Sequence, residues 1–262
     1  MTGSPGDPPA WIDLDGAANV RDIGGLAASG GHTRPGVVLR ADGLDALSAA
    51  DVVRLVERWG LAHVVDLRSE AERLERDRGR LGERPGIVYT EVQIIDEDQL
   101  ELRRVSRAER LAEGMPTPLI MAEGYAQLLD WGAGAFVRAF EAVAGTPGTP
   151  ALVHCSAGKD RTGILVALLL GAAGVEAGAI VADYAATQER MAAVVARLET
   201  AERFANLAGT IQSFVFDAQA ETMQRFLDHL DRGWGGAAGW LEANGVAPAQ
   251  LADWGDRFIA AG

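Results

Sequence analysis

The chain has 262 residues and 48% hydrophobic content, enough for one large globular domain or two small ones, and one domain is the simpler reading. Its formal net charge of −13 excludes the broad basic face that a nucleic-acid or anionic-membrane binder needs, but not one local positive pocket. A single cysteine excludes an internal disulfide, and the longest apolar stretch, Ile164 to Ala173, falls short of the roughly 20 residues that span a bilayer.

In chain order, Met1 to Pro9 is rich in Gly and Pro without an apolar core. It reads as disordered until Trp11 and Ile12 anchor it, with no signal peptide and the cytoplasm as default location, secretion by a route without a signal peptide being the alternative. Residues 1–12 are thus expected to precede a single domain over 13–262. Asn19 to Gly25 reads as a turn, with Gly24-Gly25 permitting positive φ. Val37-Val38-Leu39 reads as a strand, followed by a helix capped by Ser48 with Asp51 at the capping-box position. That helix draws its apolar face from Val52, Val53, Leu55, Val56 and Trp59. Ala62 to Leu67 is a second buried strand. It ends in Asp66 and Arg68, where ligands of an open α/β sheet gather. Ser69 then opens the charge-rich run Glu70 to Arg80, expected to be an exposed helix, and Ile87 to Ile95 alternates as a strand. Asp96 to Arg110 carries both charge signs and reads as a solvated helix or loop ended by Pro116 and Pro118. Leu119 to Leu129 and Phe136 to Val143 read as helices broken at Gly132 and Gly134.

Pro147, Gly148 and Pro150 form a turn into the apolar run Ala151 to Val153. The run Ile164 to Leu170 leaves the intervening loop as a buried helix. Between them lie His154, Cys155, Ser156, Ala157, Gly158, Lys159, Asp160, Arg161, Thr162 and Gly163, at a strand's carboxyl end and a helix's amino end. Unpaired N–H groups and the helix dipole make that position a natural anion site. Cys155 is the one cysteine and Lys159 the one lysine among 24 basic residues. A helix amino end with nearby cations favours a thiolate, and Arg161 can turn a planar fork of donors on the same anion. Thiolate, N–H nest and guanidinium at one point suit attack on a phosphate monoester. After the loop, Ile180 to Leu198 reads as helix, Glu202 to Phe216 is less regular, and Gln219 to Leu230 is another helix. Gly239 to Asn244 and Pro248 to Ile259 form a terminal helix pair. His32, His63 and His229 are scattered, with no spacing for a metal.

His-Cys, five residues, then Arg-Thr resembles the signature loop of cysteine-dependent phosphatases, and the Ala-Gly-Lys-Asp interior resembles a bacterial tyrosine phosphatase branch that includes dual-specificity and phosphoinositide-active members. Asn19-Val20-Arg21-Asp22-Ile23-Gly24-Gly25, Val64-Val65-Asp66-Leu67-Arg68-Ser69 and Asp183-Tyr184 resemble the same branch. The resemblance covers roughly residues 15–260. It implies one α/β domain with a mostly parallel sheet of four or five strands flanked by helices, and extra helices after the loop able to cover the pocket. Met191, Val194, Val195, Leu198 and Phe204 are candidates for the underside of such a lid, or for plain core. It also places Asn19 to Gly25 at the active-site rim.

The expected activity is metal-independent hydrolysis of phosphotyrosine, with phosphoserine, phosphothreonine or phosphoinositides as further substrates and no cofactor. Cys155 would be the nucleophile, with Ser156, Ala157, Gly158, Lys159 and Arg161 holding the phosphate. Lys159 is expected at the rim, Thr162 hydrogen-bonded to the sulfur, and His154, Asp66 and Arg68 in support. No Trp-Pro-Asp triplet is present and Asp130-Trp131-Gly132 inverts it; the resemblance implies Asp160, inside the loop beside Arg161, as the general acid, with Asp66, Asp96 and Asp98 in reserve. Asp160 paired with an arginine to stiffen the loop is the alternative. A rhodanese-type sulfurtransferase and an inactive phosphate-recognition module are the rival readings of the whole chain.

Overall fold

The structure, a computed structural model, describes residues 9–146, 150–199 and 216–261. Its strands in chain order are β1 (Ala10–Trp11), β2 (Arg21–Asp22), β3 (Ala27–Ala28), β4 (Gly31–Thr33), β5 (Val38–Ala41), β6 (His63–Asp66), β7 (Val88–Glu91), β8 (Ala151–His154) and β9 (Ile259–Ala261). The helices are α1 (Ala49–Val53), α2 (Glu70–Glu75), α3 (Gly79–Gly82), α4 (Glu97–Ala112), α5 (Thr117–Trp131), α6 (Ala133–Ala144), α7 (Asp160–Ala172), α8 (Ala177–Leu198), α9 (Ala220–Trp234), α10 (Ala237–Ala243) and α11 (Pro248–Phe258).

The main sheet runs β1-β2-β5-β8-β6-β7, with β5, β8, β6 and β7 mutually parallel and the two-residue β1 and β2 added antiparallel at one edge. It has six strands where four or five were expected, because those short edge strands carry too few residues to show alternation. The inner strands are apolar runs buried on both faces, as a parallel sheet covered by helices requires. Register matters for function: Ala41, His154 and Asp66 stand abreast at the carboxyl ends of β5, β8 and β6. A second antiparallel sheet, β3-β4-β9, ties the carboxyl-terminal residues to the Gly31–Thr33 strand. Nothing in the sequence reading anticipated β9.

Helix α7 is apolar on every side, with Arg161 to Leu170 all buried, so it runs through the centre of the molecule and not along its surface. The Ser48 cap is present as expected: its hydroxyl accepts from Asp51 N–H while the Asp51 carboxylate accepts from Ser48 N–H. After Val53 the backbone widens to π-type turns over Arg54–Arg58, and Val53 itself is exposed. The predicted strand Ile87 to Ile95 is shorter, since only Val88–Glu91 pairs with β6, while Val92, Ile94 and Ile95 enter the core from irregular backbone. The predicted helix over 70–80 breaks at Arg76 into α2 and α3. Asp96 to Arg110 is helical within α4. Met191, Val194 and Leu198 of α8 form a small apolar cluster with Ala18, Ala157, Val195 and Phe216, beside the loop after β8. The Met1–Pro8 segment, the Pro147-Gly148 turn and the 202–215 stretch with Phe204 lie outside the described residues. No helix among the described residues is long and apolar enough to cross a membrane.

Candidate active site

The loop leaves β8 at His154 and enters α7 at Asp160. Leu67 N–H donates to His154 O at 2.9 Å and Gly43 N–H to Ser156 O at 3.0 Å, so both flanking strand ends hold its first turn. Gly158 has φ +64°, and a Cβ there would sit 2.4 Å from Ala41 O, so both the conformation and the close approach to β5 require glycine. Lys159 is the N-cap of α7 and its side chain does not cap the helix, so the first N–H groups of a central helix have no side-chain cap. Cys155 begins this turn and is buried.

Arg161 is held by Glu72, a residue the sequence reading placed on an exposed helix. Instead Glu72 is 6% exposed. Its carboxylate takes Arg161 Nη1 at 2.5 Å and Nη2 at 2.7 Å, and it also accepts from Ser156 Oγ at 2.5 Å and Ser69 N–H at 2.7 Å. The last bond belongs to a capping box in which Ser69 is N-cap and Glu72 is N3 of α2. Burial alone would raise the Glu72 pKa, but Arg161 and these hydrogen bonds hold it well below the carboxylate range. Glu72 occupies the Nη1/Nη2 end of the guanidinium, and Leu67 O lies 3.4 Å from Nη1. Of five N–H donors, the parallel pair on the Nε/Nη2 edge is not engaged by these partners.

Of the Asn19 to Gly25 segment, Asn19 reaches the loop from beneath and not at its rim, with Arg21 bonded to it. Asn19 and Arg21 are fully buried. Asn19 Nδ2 donates to Ala157 O and Gly158 O, both at 3.2 Å, and Arg40 Nη2 donates to Gly158 O at 2.8 Å. Arg21 Nε donates to Asp183 Oδ1 at 2.8 Å and Arg40 Nη1 pairs with Asp183 Oδ2, so one carboxylate from α8 ties two buried guanidiniums to the loop's underside. Burial outweighs these pairings at Arg21, lowering its pKa to about 10. Burial would raise Asp183, yet the two arginines hold it below the ordinary value. Asp42 accepts from the N–H groups of Ala18 and Asn19 and pairs with Arg197.

Lys159 is 1% exposed, which corrects its expected place at the rim: burying the first lysine of the helix brings its Nζ to 3.1 Å from Asp217 O and 3.4 Å from Asp160 Oδ1. Asp160 Oδ1 also accepts from Tyr125 Oη at 2.6 Å, and Tyr125 Oη lies 2.7 Å from Tyr184 Oη. Burial pushes Asp160 upward, but Lys159 first and then Arg107, the Tyr125 hydroxyl and Arg103 pull its pKa down to about 2. Arg103 and Arg107 come from α4, so this helix is not simply solvated: Arg103 is 5% exposed and faces the site.

Asp66 and Arg68 lie behind the loop as a buried pair with three contacts of 2.8–3.1 Å. Arg68 Nη1 also donates to Arg76 O at 2.8 Å. Burial would raise Asp66, but His154 and Arg68 lower it to about 2, and Arg68 occupies both of its oxygens, which takes it out of reserve as a proton donor. His154 has Nε2 3.7 Å from Asp66 Oδ2 and Nδ1 3.3 Å from Cys155 O, and burial lowers its pKa, favouring neutral imidazole. Asp96 is the exposed N-cap of α4 and Asp98 lies in its exposed first turn, which removes both from the site. The expected Thr162 bond to the sulfur is not made: Thr162 Oγ1 is buried without a hydrogen-bond partner among the described residues. None of the described residues form a His/Cys/Asp/Glu group able to hold a metal ion.

Residues 12–260 match the tyrosine phosphatase family. A Cupriavidus necator protein, provisionally named a tyrosine-protein phosphatase, is 31% identical over 92% of this chain and 86% of its own length. The triple specificity protein phosphatase PtpB of Mycobacterium tuberculosis is 28% identical over 91% of this chain and 95% of its own. A tyrosine-protein phosphatase of Nostoc commune is 32% identical over 37% of this chain and 30% of its own. The chain is therefore a hydrolase with phosphatase function, acting on a phosphorylated substrate, and it belongs to the tyrosine phosphatase family.

Proposed function

We propose that the protein is a metal-independent phosphomonoesterase of phosphotyrosine and related esters, with Cys155 as nucleophile. The observation that carries this is the single thiol at the entry of an uncapped helix whose Arg161 is clamped by Glu72 with its Nε/Nη2 edge left over. The Sγ–P bond forms as the P–O bond to the leaving group breaks. Loop N–H groups and Arg161 hold the equatorial oxygens. Water then attacks phosphorus, the S–P bond breaks, and phosphate leaves with the thiolate restored.

Asp160 is the proposed proton donor to the leaving oxygen and the acceptor from the attacking water. In the resting enzyme it is a carboxylate, and with a pKa of about 2, protonating it at pH 6 costs about 5 kcal/mol. The negative charge of a phosphate dianion bound beside Asp160 favours its protonated form and offsets part of that cost. Substrate binding thus helps to load the acid.

Residues 13–262 are read as one phosphatase domain. The triple-specificity name of the mycobacterial relative supports a range wider than phosphotyrosine, including phosphoserine, phosphothreonine or phosphoinositides. The acidic chain is assigned no nucleic-acid partner, and a thiol nucleophile suits the reducing cytoplasm. The test is release of inorganic phosphate from an aryl phosphate in excess chelator, run beside sulfur transfer from thiosulfate. Phosphate release that survives chelator and is lost in Cys155→Ser is expected. Sulfur transfer without phosphate release would point to the rhodanese reading, and neither activity to a recognition module.

A further inference from the structure

Arg103 and Arg107 lie one turn apart on α4, and the chemistry above uses neither as a contact. Nε and Nη2 of both guanidiniums are buried without a hydrogen-bond partner among the described residues. Leaving charged donors buried and unpaired is costly, so such a pair persists where a ligand completes it. Both lie over α5, where a Cβ on Gly124 would stand 3.5 Å from Arg103 Nη2 and 3.9 Å from Arg107 Nη2. The next residue, Tyr125, bonds to Asp160, and both arginines act on that carboxylate. Burial and the neighbouring Arg107 destabilise the Arg103 cation, as expected of a site that lacks its anion. Glu72 matches the charge of Arg161 and Asp160 pairs with Lys159, whereas neither Arg103 nor Arg107 has a carboxylate within salt-bridge distance among the described residues.

We propose that Arg103 and Arg107 form a second anion subsite that reads a further phosphate on the leaving-group side of the substrate. The inference rests on the phosphomonoesterase reading and on Asp160 facing the leaving group, since the charges of both arginines act on that residue. Two guanidiniums without a paired carboxylate match a phosphate, which carries about −1.5 to −2 near pH 7, better than a carboxylate. Two planar forks also suit its three oxygens. A free polyol phosphate and a lipid headgroup offer the same chemistry.

The experiment compares kcat/KM of the full chain on phenyl phosphate with that on 1,3-phenylene bisphosphate, and with phosphate release from phosphatidylcholine vesicles containing a phosphatidylinositol monophosphate. The wild type is expected to favour the bisphosphate about tenfold or more, and Arg103→Gln and Arg107→Gln each to cut that ratio at least about fivefold. Arg103→Lys and Arg107→Lys keep the charge and should retain part of the preference, which covers any failure of the glutamine variants to fold. A preference confined to vesicles would assign the subsite to a lipid headgroup. No wild-type preference for either doubly phosphorylated substrate, or equal losses on mono- and bisphosphate in the variants, would overturn the proposal. Turnover of phenyl phosphate and its loss in Cys155→Ser report separately on the phosphatase reading.

Discussion

Replacing Glu72 with glutamine probes the clamp on Arg161 at almost constant volume. The wild-type carboxylate receives four hydrogen bonds of 2.5–2.7 Å, two of them from Arg161. A glutamine offers one oxygen, so its amide NH2 must face either Arg161 Nη1 or Arg161 Nη2 and Ser156 Oγ. It also leaves the 9%-exposed guanidinium without its countercharge. Removing one partner of such a buried pair costs about 3 to 5 kcal/mol, and the fork proposed to meet the phosphate loses its orientation. Glu72→Gln should therefore lower unfolding free energy by about that amount in urea titrations at pH 7, and reduce kcat/KM on an aryl phosphate by at least about tenfold. The pH dependence has a definite sign. The folded-state pKa of Glu72 lies below the ordinary 4.5, so its stabilisation is complete above that value and is lost as pH falls through the folded-state value. The gap between wild type and variant should be constant from pH 6 to 7 and shrink in strong acid. A variant within about 1 kcal/mol of wild type at pH 7, with unchanged turnover, would refute the clamp.

Three further outcomes are expected. Asp183→Asn leaves Arg21 and Arg40 fully buried without their shared carboxylate, so unfolding free energy should drop by about 3 kcal/mol or more in a thermal or urea melt. Gly158→Ala puts a Cβ against Ala41 O at φ +64°, and phosphate release should fall by about a hundredfold or more with a smaller loss of stability. Asp160→Asn should slow phosphotyrosine hydrolysis by about 10² to 10⁴-fold and an aryl phosphate with a good leaving group much less, since such an ester hardly needs a proton. The alkaline limb of its pH–rate profile should flatten, because the proton that wild type loses as pH rises is no longer used. Equal loss on both esters would assign Asp160 a purely structural role.

Much of the site was legible because its signals are local. The apolar runs on either side of Cys155 and Arg161 are unambiguous, and the Ser48–Asp51 box needs only spacing. What escaped was decided by tertiary contact. Glu72 sits in a run of charges whose alternation of sign reads as solvated, and only the approach of α7 turns that one residue inward. Its signal was the Ser69-x-x-Glu72 spacing, which marks a cap but says nothing of Arg161. Arg103 and Arg107 were hidden for the same reason, since a charged helix shows its inward face only once α5 lies against it. Lys159 looked like a rim residue because lysine is rarely buried, and its burial depends on the Asp217 carbonyl, 58 residues away. Asn19 and Arg21 read as a turn, although the Asn19 side chain holds a loop more than 130 residues further on and Arg21 bonds to that side chain.

The central claim is that phosphoryl transfer passes through Cys155. The most direct measurement is acid quench of the enzyme during turnover of an aryl phosphate, followed by mass spectrometry of the peptide carrying residues 151–161. The account predicts a phosphate adduct on the Cys155 sulfur that appears within the first turnover and is absent from Cys155→Ser. Full turnover with the thiol unmodified at every quench time, or undiminished turnover in Cys155→Ser, would contradict it.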